Sequence, residues 1–464
     1  MSLAAPVGRR IHLLASFAAA AVCVLASNAS AQSLDAALAA AYINNPTLNS
    51  QRAGTRAVDE NVPQALSGYR PNISAGAQVG SQYGRSSANG IITEGTLNPR
   101  LYNLTISQTI FNGLLTANTT RKAESTVKGS RETLRNTEQT VLLNGVTAYM
   151  NVIQGIALLE NQQQNLASLQ QELRATRDRF NVGEVTRTDV AQAEAQVAQA
   201  QYQLAQAVSN LSAYKATYRQ VIGVEPGRLT SPGAGVERKI PNSVDGVIAV
   251  AVKDHPAILA AQFAVDASSF QVRMAEANLA PRLSVQGQLT QGYDQSEMRD
   301  WQSGATVMVS LNVPIYQGGA EYSAVRQAKE QMSQARIEVD VNRDAVRTNA
   351  VQYWGALVAA KVQIEAAQAA VAANTLALEG VREEWRVGQR TTTDVLNAQT
   401  DLTNSKSALV IAQRDRVVAA YSLVSVVGKL DAINLGLKVP VYDPKVHYQQ
   451  VRDTWVGLRT PDGK

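Results

Sequence analysis

Two aspartates stand three residues after a threonine and just beyond a Val-Gly pair, in Thr186-Arg-Thr-Asp189 and Thr391-Thr-Thr-Asp394. The chemistry available to Thr-x-x-Asp is local: the hydroxyl caps free backbone N–H groups of a starting helix, and the carboxylate reaches back to the cap. Arg390 lies beside the second box, and Thr188 within the first. Bond-breaking chemistry has little to be built from. The chain has one cysteine, Cys23, and three histidines, His12, His255 and His447, far apart in sequence. No nucleophile–histidine pairing, metal-ligand spacing or cofactor-binding motif stands out, which argues against an enzyme.

The elements that carry the boxes are long helices. Trp385-Arg-Val387-Gly388 ends one helix, because glycine takes the left-handed conformation just past a helix end at no steric cost. Phe180-Asn-Val182-Gly183, 205 residues earlier, is its twin. No proline occurs between Gly113 and Glu225 or between Ile315 and Val439, so each half is expected to be two long helices around one turn. Read as one helix, the stretch from Gly113 to Phe180 would be ~100 Å long. Apolar residues recur every seventh position at Val152, Leu159, Leu166, Leu173 and Phe180, and again at Leu357, Ile364, Val371, Leu378 and Trp385. The return helices place small residues at a seam, at Ala193, Ala200 and Ala207 and at Ala398, Ser405 and Ala412. That pattern predicts closely packed coiled-coil helices.

The twin tips belong to a duplication of the whole chain. Ser33-Leu-Asp through Asn45-Pro46 aligns with Ser243-Val-Asp through His255-Pro256, and Phe111-Asn-Gly113 with Tyr316-Gln-Gly318. The expected organisation is a first repeat over 32–224, a linker over 225–242, a second repeat over 243–436 and an irregular tail over 437–464. In each repeat a two-residue alternation replaces the helical period. Ile73, Ala75, Ala77 and Val79, then Tyr102, Leu104 and Ile106, alternate with polar residues, as do Leu283, Val285 and Leu289, then Val307, Val309, Leu311 and Val313. The alternation predicts two isolated strand hairpins, each of membrane-crossing length, with long polar loops over Ser86 to Arg100 and Asp294 to Gly304. An ordinary soluble sheet would show the same alternation. Four strands cannot close a barrel, so strands in a membrane would have to be shared between subunits.

Residues 1–31 read as a secretory signal peptide, with Arg9-Arg10, an apolar run from Ile11 to Ala26 and Ala29-Ser30-Ala31. That run is shorter than the ~20 residues of a spanning helix, and no other stretch is expected to approach that length. Cys23 and His12 leave with the signal. The formal charge then falls from +5 to +3, too small an excess to point to nucleic acid. Charged residues are 17% of the chain against roughly 25% in typical domains, which suits wide contact with neighbours or a water-filled interior.

The signal, the duplicated helix–strand–strand–helix–helix plan and the twin Val-Gly tips resemble the TolC family of outer-membrane efflux and secretion channels. The resemblance covers Ser33 to about Leu437, most specifically in Val387-Gly-x-Arg390-Thr-x-x-Asp394-Val-Leu396. It implies an α+β membrane protein in which three subunits share a twelve-stranded transmembrane β-barrel, continuous with an α-helical coiled-coil barrel in the periplasm. It implies a homotrimer in contact with outer-membrane lipid, a periplasmic adaptor and an inner-membrane pump of the RND type or an ABC exporter. It further implies a periplasmic gate at Asp394, Arg390, Asp189, Thr188 and Trp385, and adaptor contact at Val182, Gly183, Val387 and Gly388. Asn397 stands where the best-known members carry a second ring aspartate, and Trp385 where they carry a gate tyrosine, which implies a weaker carboxylate ring and one lost hydrogen bond. A periplasmic adaptor with its own helical hairpin is the alternative reading, and a coiled-coil structural protein with no pore a third.

Overall fold

The computed structural model describes residues 32–296, 299–461 and 463. The expected signal peptide lies outside them. The elements follow one another as α1 (Leu34–Asn44), α2 (Pro46–Asp59), α3 (Asn61–Leu66), β1 (Asn72–Val79), β2 (Gln82–Ala88), β3 (Ile91–Leu97), β4 (Arg100–Phe111), α4 (Leu115–Asn181) and α5 (Arg187–Ile222). The second half continues with α6 (Val244–Asp254), α7 (Pro256–Ala277), β5 (Arg282–Ser296), β6 (Arg299–Asn312), α8 (Ala320–Arg386), α9 (Thr392–Val426), α10 (Ala432–Leu435) and α11 (Pro444–Val451). The chain forms two compact units. One holds the residues up to Ala41 with Gly145–Ala234 and Gln363–Val417; the other holds Tyr42–Asn144, Gly235–Val362 and Val418–Lys464.

The first unit is helical. Its hydrophobic clusters join Leu169 of α4 to Ala193, Val197 and Ala200 of α5 and to Leu396 of α9, and Leu378 and Trp385 of α8 to Val395 and Leu402 of α9. The small residues of the return helices sit in these seams and let the helix backbones approach. Tyr149 is fully buried and donates its hydroxyl to the carbonyls of Gln32 and Thr230, which ties both segments to α4.

The second unit carries the sheet, and here two expectations change. The two hairpins are not isolated: β4 pairs with β5, so the order β1-β4-β5-β6 makes one antiparallel four-stranded sheet across the two repeats. Alternation within a strand shows which face is apolar and says nothing of which distant strand lies beside it. The segment expected as a polar loop over Ser86 to Arg100 is largely strand. β2 and β3 pair with each other around Asn89-Gly90, both at positive φ, the turn that matches the twist of a two-residue hairpin. Asp294 to Gly304 is likewise mostly strand, the ladder running out to Ser296 opposite Arg299.

The central rows of the sheet are each of one kind. Ala75, Leu104, Leu289 and Ala305 lie side by side, as do Ile73, Ile106, Gly287 and Val307. On the opposite face run Ser74, Thr105, Gln288 and Thr306. The apolar face is exposed, with Val307, Val309 and Leu311 all open. β1 and β6 each have a neighbour on one side only.

Three helical stretches, Leu115–Asn181, Val244–Ala277 and Ala320–Arg386, are long and apolar enough to cross a membrane by length and composition. This corrects the expectation drawn from unbroken runs: alanine and valine scattered among polar residues make an apolar window without a run. The window in α8 is only 11% buried within the protomer.

The helix starts of the second unit show the duplication at atomic detail. Asn45 caps α2 by accepting from the backbone N–H of Thr47 and Leu48, and its twin His255 caps α7 by accepting from Ala257 N through Nδ1. An acceptor nitrogen must be unprotonated, and burial, with Arg135 nearby, pushes His255 down to about 4. The tail is not wholly irregular. Asp443 and Pro444 start α11, and His447 hydrogen-bonds the buried Asp59 carboxylate at 3.0 Å while Arg131 approaches that carboxylate at 3.9 Å.

Candidate functional site: the helix-hairpin tips

Both tips lie in the first unit, and both close in the same way. Gly183 and Gly388 have φ of +80°, and the residue after each donates its N–H back across the turn, Glu184 to Arg179 O and Gln389 to Glu384 O. This six-to-one bond satisfies a carbonyl that the helix end would otherwise strand. A side chain at either glycine would meet open space, so positive φ is what selects glycine here. Val182 and Val387 are each 71% exposed at the crest of the turn.

The return helices start from complete capping boxes. Thr186 N and Oγ1 donate to Asp189 Oδ2 at 2.8 and 2.7 Å, and Asp189 N donates to Thr186 Oγ1 at 3.3 Å. Thr391 and Asp394 repeat this at 2.9, 2.9 and 3.3 Å. The backbone N–H of Thr391, then its hydroxyl, hold the Asp394 carboxyl below the usual carboxylate range, with Arg390 adding to the effect. Arg390 itself is held by Glu384 at 2.7 Å. Thr188 stands exposed on the first turn of α5.

Trp385 is buried, and the hydroxyl contact expected to be lost there is offset by different chemistry. Its indole N–H points to Thr392 Oγ1 at 3.4 Å, and the Arg179 guanidinium lies 3.9 Å from the centre of its ring. Arg179 also donates to the carbonyls of Trp385 and Arg386 at 3.1 and 3.3 Å. One arginine from the first hairpin thus closes the end of the helix before the second tip. Thr393 adds a second link, donating to Gln192 of α5 at 2.6 Å.

Above the tips a buried polar ladder joins α4 to α8 and α9. Glu172 pairs with Arg382 at 3.1 Å, Arg382 donates to Gln399, and Gln399 and Thr403 both donate to Asn165 Oδ1. One turn on, the Asn161 amide donates to Thr403 O and Ser407 Oγ. Burying Asn161, Asn165, Gln399 and Thr403 is tolerable because they bond to one another and to the helix backbone, and each contact fixes the helix register. Reading the sequence missed Arg179, Glu384 and the whole ladder. The heptad search follows one apolar stripe, whereas Asn161 and Asn165 belong to a second, polar stripe of α4 that faces α9. Pairs of asparagines four apart in a Pro-free helix are the signal that was available. Among the described residues no group of three His, Cys, Asp or Glu side chains could hold a metal ion.

The family model for outer membrane efflux proteins matches residues 37–224 and 247–429, one match per repeat. The chain is 42% identical over 435 residues to the outer membrane efflux protein BepC of Brucella suis biovar 1 (strain 1330), covering 93% of each chain. It is 28% identical to the outer membrane protein TolC of Escherichia coli (strain K12), covering 86% of this chain and 84% of that one. Among solved structures, the Campylobacter jejuni CmeC outer membrane channel superposes with a TM-score of 0.75 at 17% identity, over 90% of this chain and 89% of that one. A match in both repeats, a relative aligned nearly end to end and a shared fold agree: this chain belongs to the outer membrane efflux protein family, the family of TolC.

Proposed function

We propose that this chain is one of three subunits of a passive exit duct in the outer membrane. The carrying observation is the four-stranded sheet with one apolar and one polar face and two unpaired edges. In lipid each unpaired N–H or C=O costs several kcal/mol, so β1 of one copy must pair with β6 of another until the ring closes. The smallest membrane barrels have about eight strands, and three copies give twelve. The apolar face then meets lipid and the polar rows line a wet interior. Neighbouring copies would also cover the apolar window that α8 leaves open within the protomer. The adaptor alternative has no use for such a sheet, and the match to the efflux family in both repeats favours the duct.

The tips form the periplasmic gate in this reading. Asp394, Arg390, Asp189 and Thr188 stand at the turns, and the Arg179–Trp385 stack with the Glu172–Arg382 pair holds the two hairpins of one subunit together. The exposed Val182-Gly183 and Val387-Gly388 crests are the surfaces offered to a periplasmic adaptor, which would join the duct to an inner-membrane pump of the RND type or an ABC exporter. Small-molecule efflux is the first cargo class of this reading. Protein secretion through an ABC exporter is the second cargo class, and the chain's own residues do not separate the two.

Conductance across a planar bilayer, with the native mass of the detergent-solubilised assembly, tests the duct. A three-copy mass and discrete conductance are expected; an insulating monomer overturns the reading. The gate is tested on the same bilayers with Asp189→Ala, Asp394→Ala and Arg390→Ala. Higher conductance is expected in all three, with weaker cation preference for the two aspartate variants and stronger for Arg390→Ala; unchanged values in all three overturn the gate assignment.

A further inference from the structure

The C-terminal segment runs to the foot of the sheet and is held there. His447 fixes α11 to Asp59, Arg452 approaches Glu124 at 3.8 Å, and Arg70 donates to Thr454 O at 2.9 Å. Arg70 then lies 4.6 Å from the centre of the Trp455 ring, two residues before β1 begins at Asn72. Gln108 of β4 donates to the neighbouring Tyr69 O, so this is the margin where strands leave the sheet. The residues held at that margin are apolar and open: Trp455 is 67% exposed, Val456 88%, and Leu458 fully so. Tethers that end at Trp455 hold the uncovered Trp-Val-x-Leu segment at that margin.

Exposed Tyr69, Ile110, Phe111, Ile315 and Tyr316 lie at the same end of the strands. At the opposite end of the apolar face Tyr293 and Trp301 are cross-strand partners. Trp301 to Leu311 is ten residue steps along the strand, a rise of roughly 25 Å at barrel tilt, the height of a membrane barrel's apolar band. Aromatic residues at both margins of such a band mark the two water–lipid boundaries. Trp455 adds to the inner of these. Its ring is apolar with one N–H, which suits a headgroup boundary, and Arg70 puts a cation beside it for lipid phosphates.

We propose that Trp455, Val456 and Leu458 form an interfacial anchor that enters the phospholipid leaflet on the periplasmic side of the barrel. The anchor rests on the reading of the sheet as membrane-spanning. It commits to lipid as the occupant because the segment is continuous with the margin of the sheet's apolar face. In the trimer it would place three tryptophans around the foot of the barrel, outside the strands themselves.

The test is tryptophan quenching in reconstituted vesicles. One variant keeps only Trp455 (Trp301→Phe, Trp354→Phe, Trp385→Phe), and a second keeps only Trp301. Phosphatidylcholine brominated near the headgroup is expected to remove at least half of the Trp455 emission, and lipid brominated at the chain ends less. Quenching of Trp301 without quenching of Trp455 overturns the anchor and leaves the membrane sheet intact. Quenching of neither overturns both. Trp455 emission that is shielded from aqueous acrylamide yet unaffected by brominated lipid overturns the anchor and assigns the segment to a neighbouring subunit. If the triple substitution does not assemble, the emission of the unmodified chain minus that of Trp455→Phe reads the same quantity.

Discussion

Arg179 and Glu384 occupy the same position in the two repeats, 205 residues apart, and carry opposite charges. The residues beside them differ as sharply: Phe180 is 43% exposed, and Trp385 is 7% exposed under the Arg179 guanidinium. The turns themselves are superimposable in their bonding, with the same φ at glycine and the same capping distances within about 0.2 Å. Duplication has kept the backbone devices, which any helix–turn–helix needs. The side chains at the helix ends have diverged until one tip supplies a cation and the other the ring and carbonyls that receive it. Two copies of the first tip would give Arg179 a phenylalanine in place of the Trp385 ring.

That asymmetry can be broken in steps. Trp385→Ala empties a buried site and removes the arginine's platform, and should lower local stability by ~3–5 kcal/mol. It would be read as accelerated hydrogen exchange of the α8 and α9 amides near the tip. Phe180→Ala should cost under ~1 kcal/mol. An equal loss at both would show that a neighbouring subunit buries Phe180. The helix starts give a second asymmetry. His255 folded titrates at about 4 and unfolded near 6.5, so the unfolded chain binds the extra proton between those values. Its contribution is therefore complete above ~6.5 and is lost as pH falls toward 4, up to about 3 kcal/mol. His255→Asn, copying Asn45, should remove that share of acid sensitivity from the denaturation midpoint; an unchanged pH profile would sink the assignment.

Arg179→Ala should cost ~1–2 kcal/mol at the tips and red-shift the Trp385 emission, with conductance rising. Arg179→Lys should restore charge but not the paired carbonyl contacts, and a full rescue would reduce the stack to simple electrostatics. The smallest effect is expected at the capping boxes, where Asp189→Asn and Asp394→Asn should each lower helix stability slightly. For Asp394 the folded carboxyl titrates below its unfolded value. Its stabilisation is present above ~3.8 and lost as pH falls through the lower folded value. Circular dichroism of Asp394→Asn against acid checks this, since the variant should lack that share of the acid transition.

Much of this was legible in the residues. Val-Gly followed by Thr-x-x-Asp fixes a helix end, a turn and a restart with no distant partner, and Gly183, Thr186 and Asp189 stand where that logic puts them. The strand faces were legible for the same reason, since alternation is local. What escaped depended on partners far along the chain: the β4–β5 pairing that fuses the repeats, the Asn165–Gln399–Thr403 contacts, and Arg179 on Trp385. Asn89-Gly90 is a different case. Its hairpin signal was local and strong, and its polar, glycine-containing surroundings read as loop instead.

The two open edges of the sheet also bear on gene dosage. A subunit whose β1 or β6 edge cannot pair is not merely lost, because in the proposed trimer it can occupy one place in a ring and leave it unclosed. When sound and damaged chains are made together, the sound rings fall as the cube of the sound fraction. Edge lesions should therefore be dominant, while lesions that prevent a chain from folding at all should be recessive.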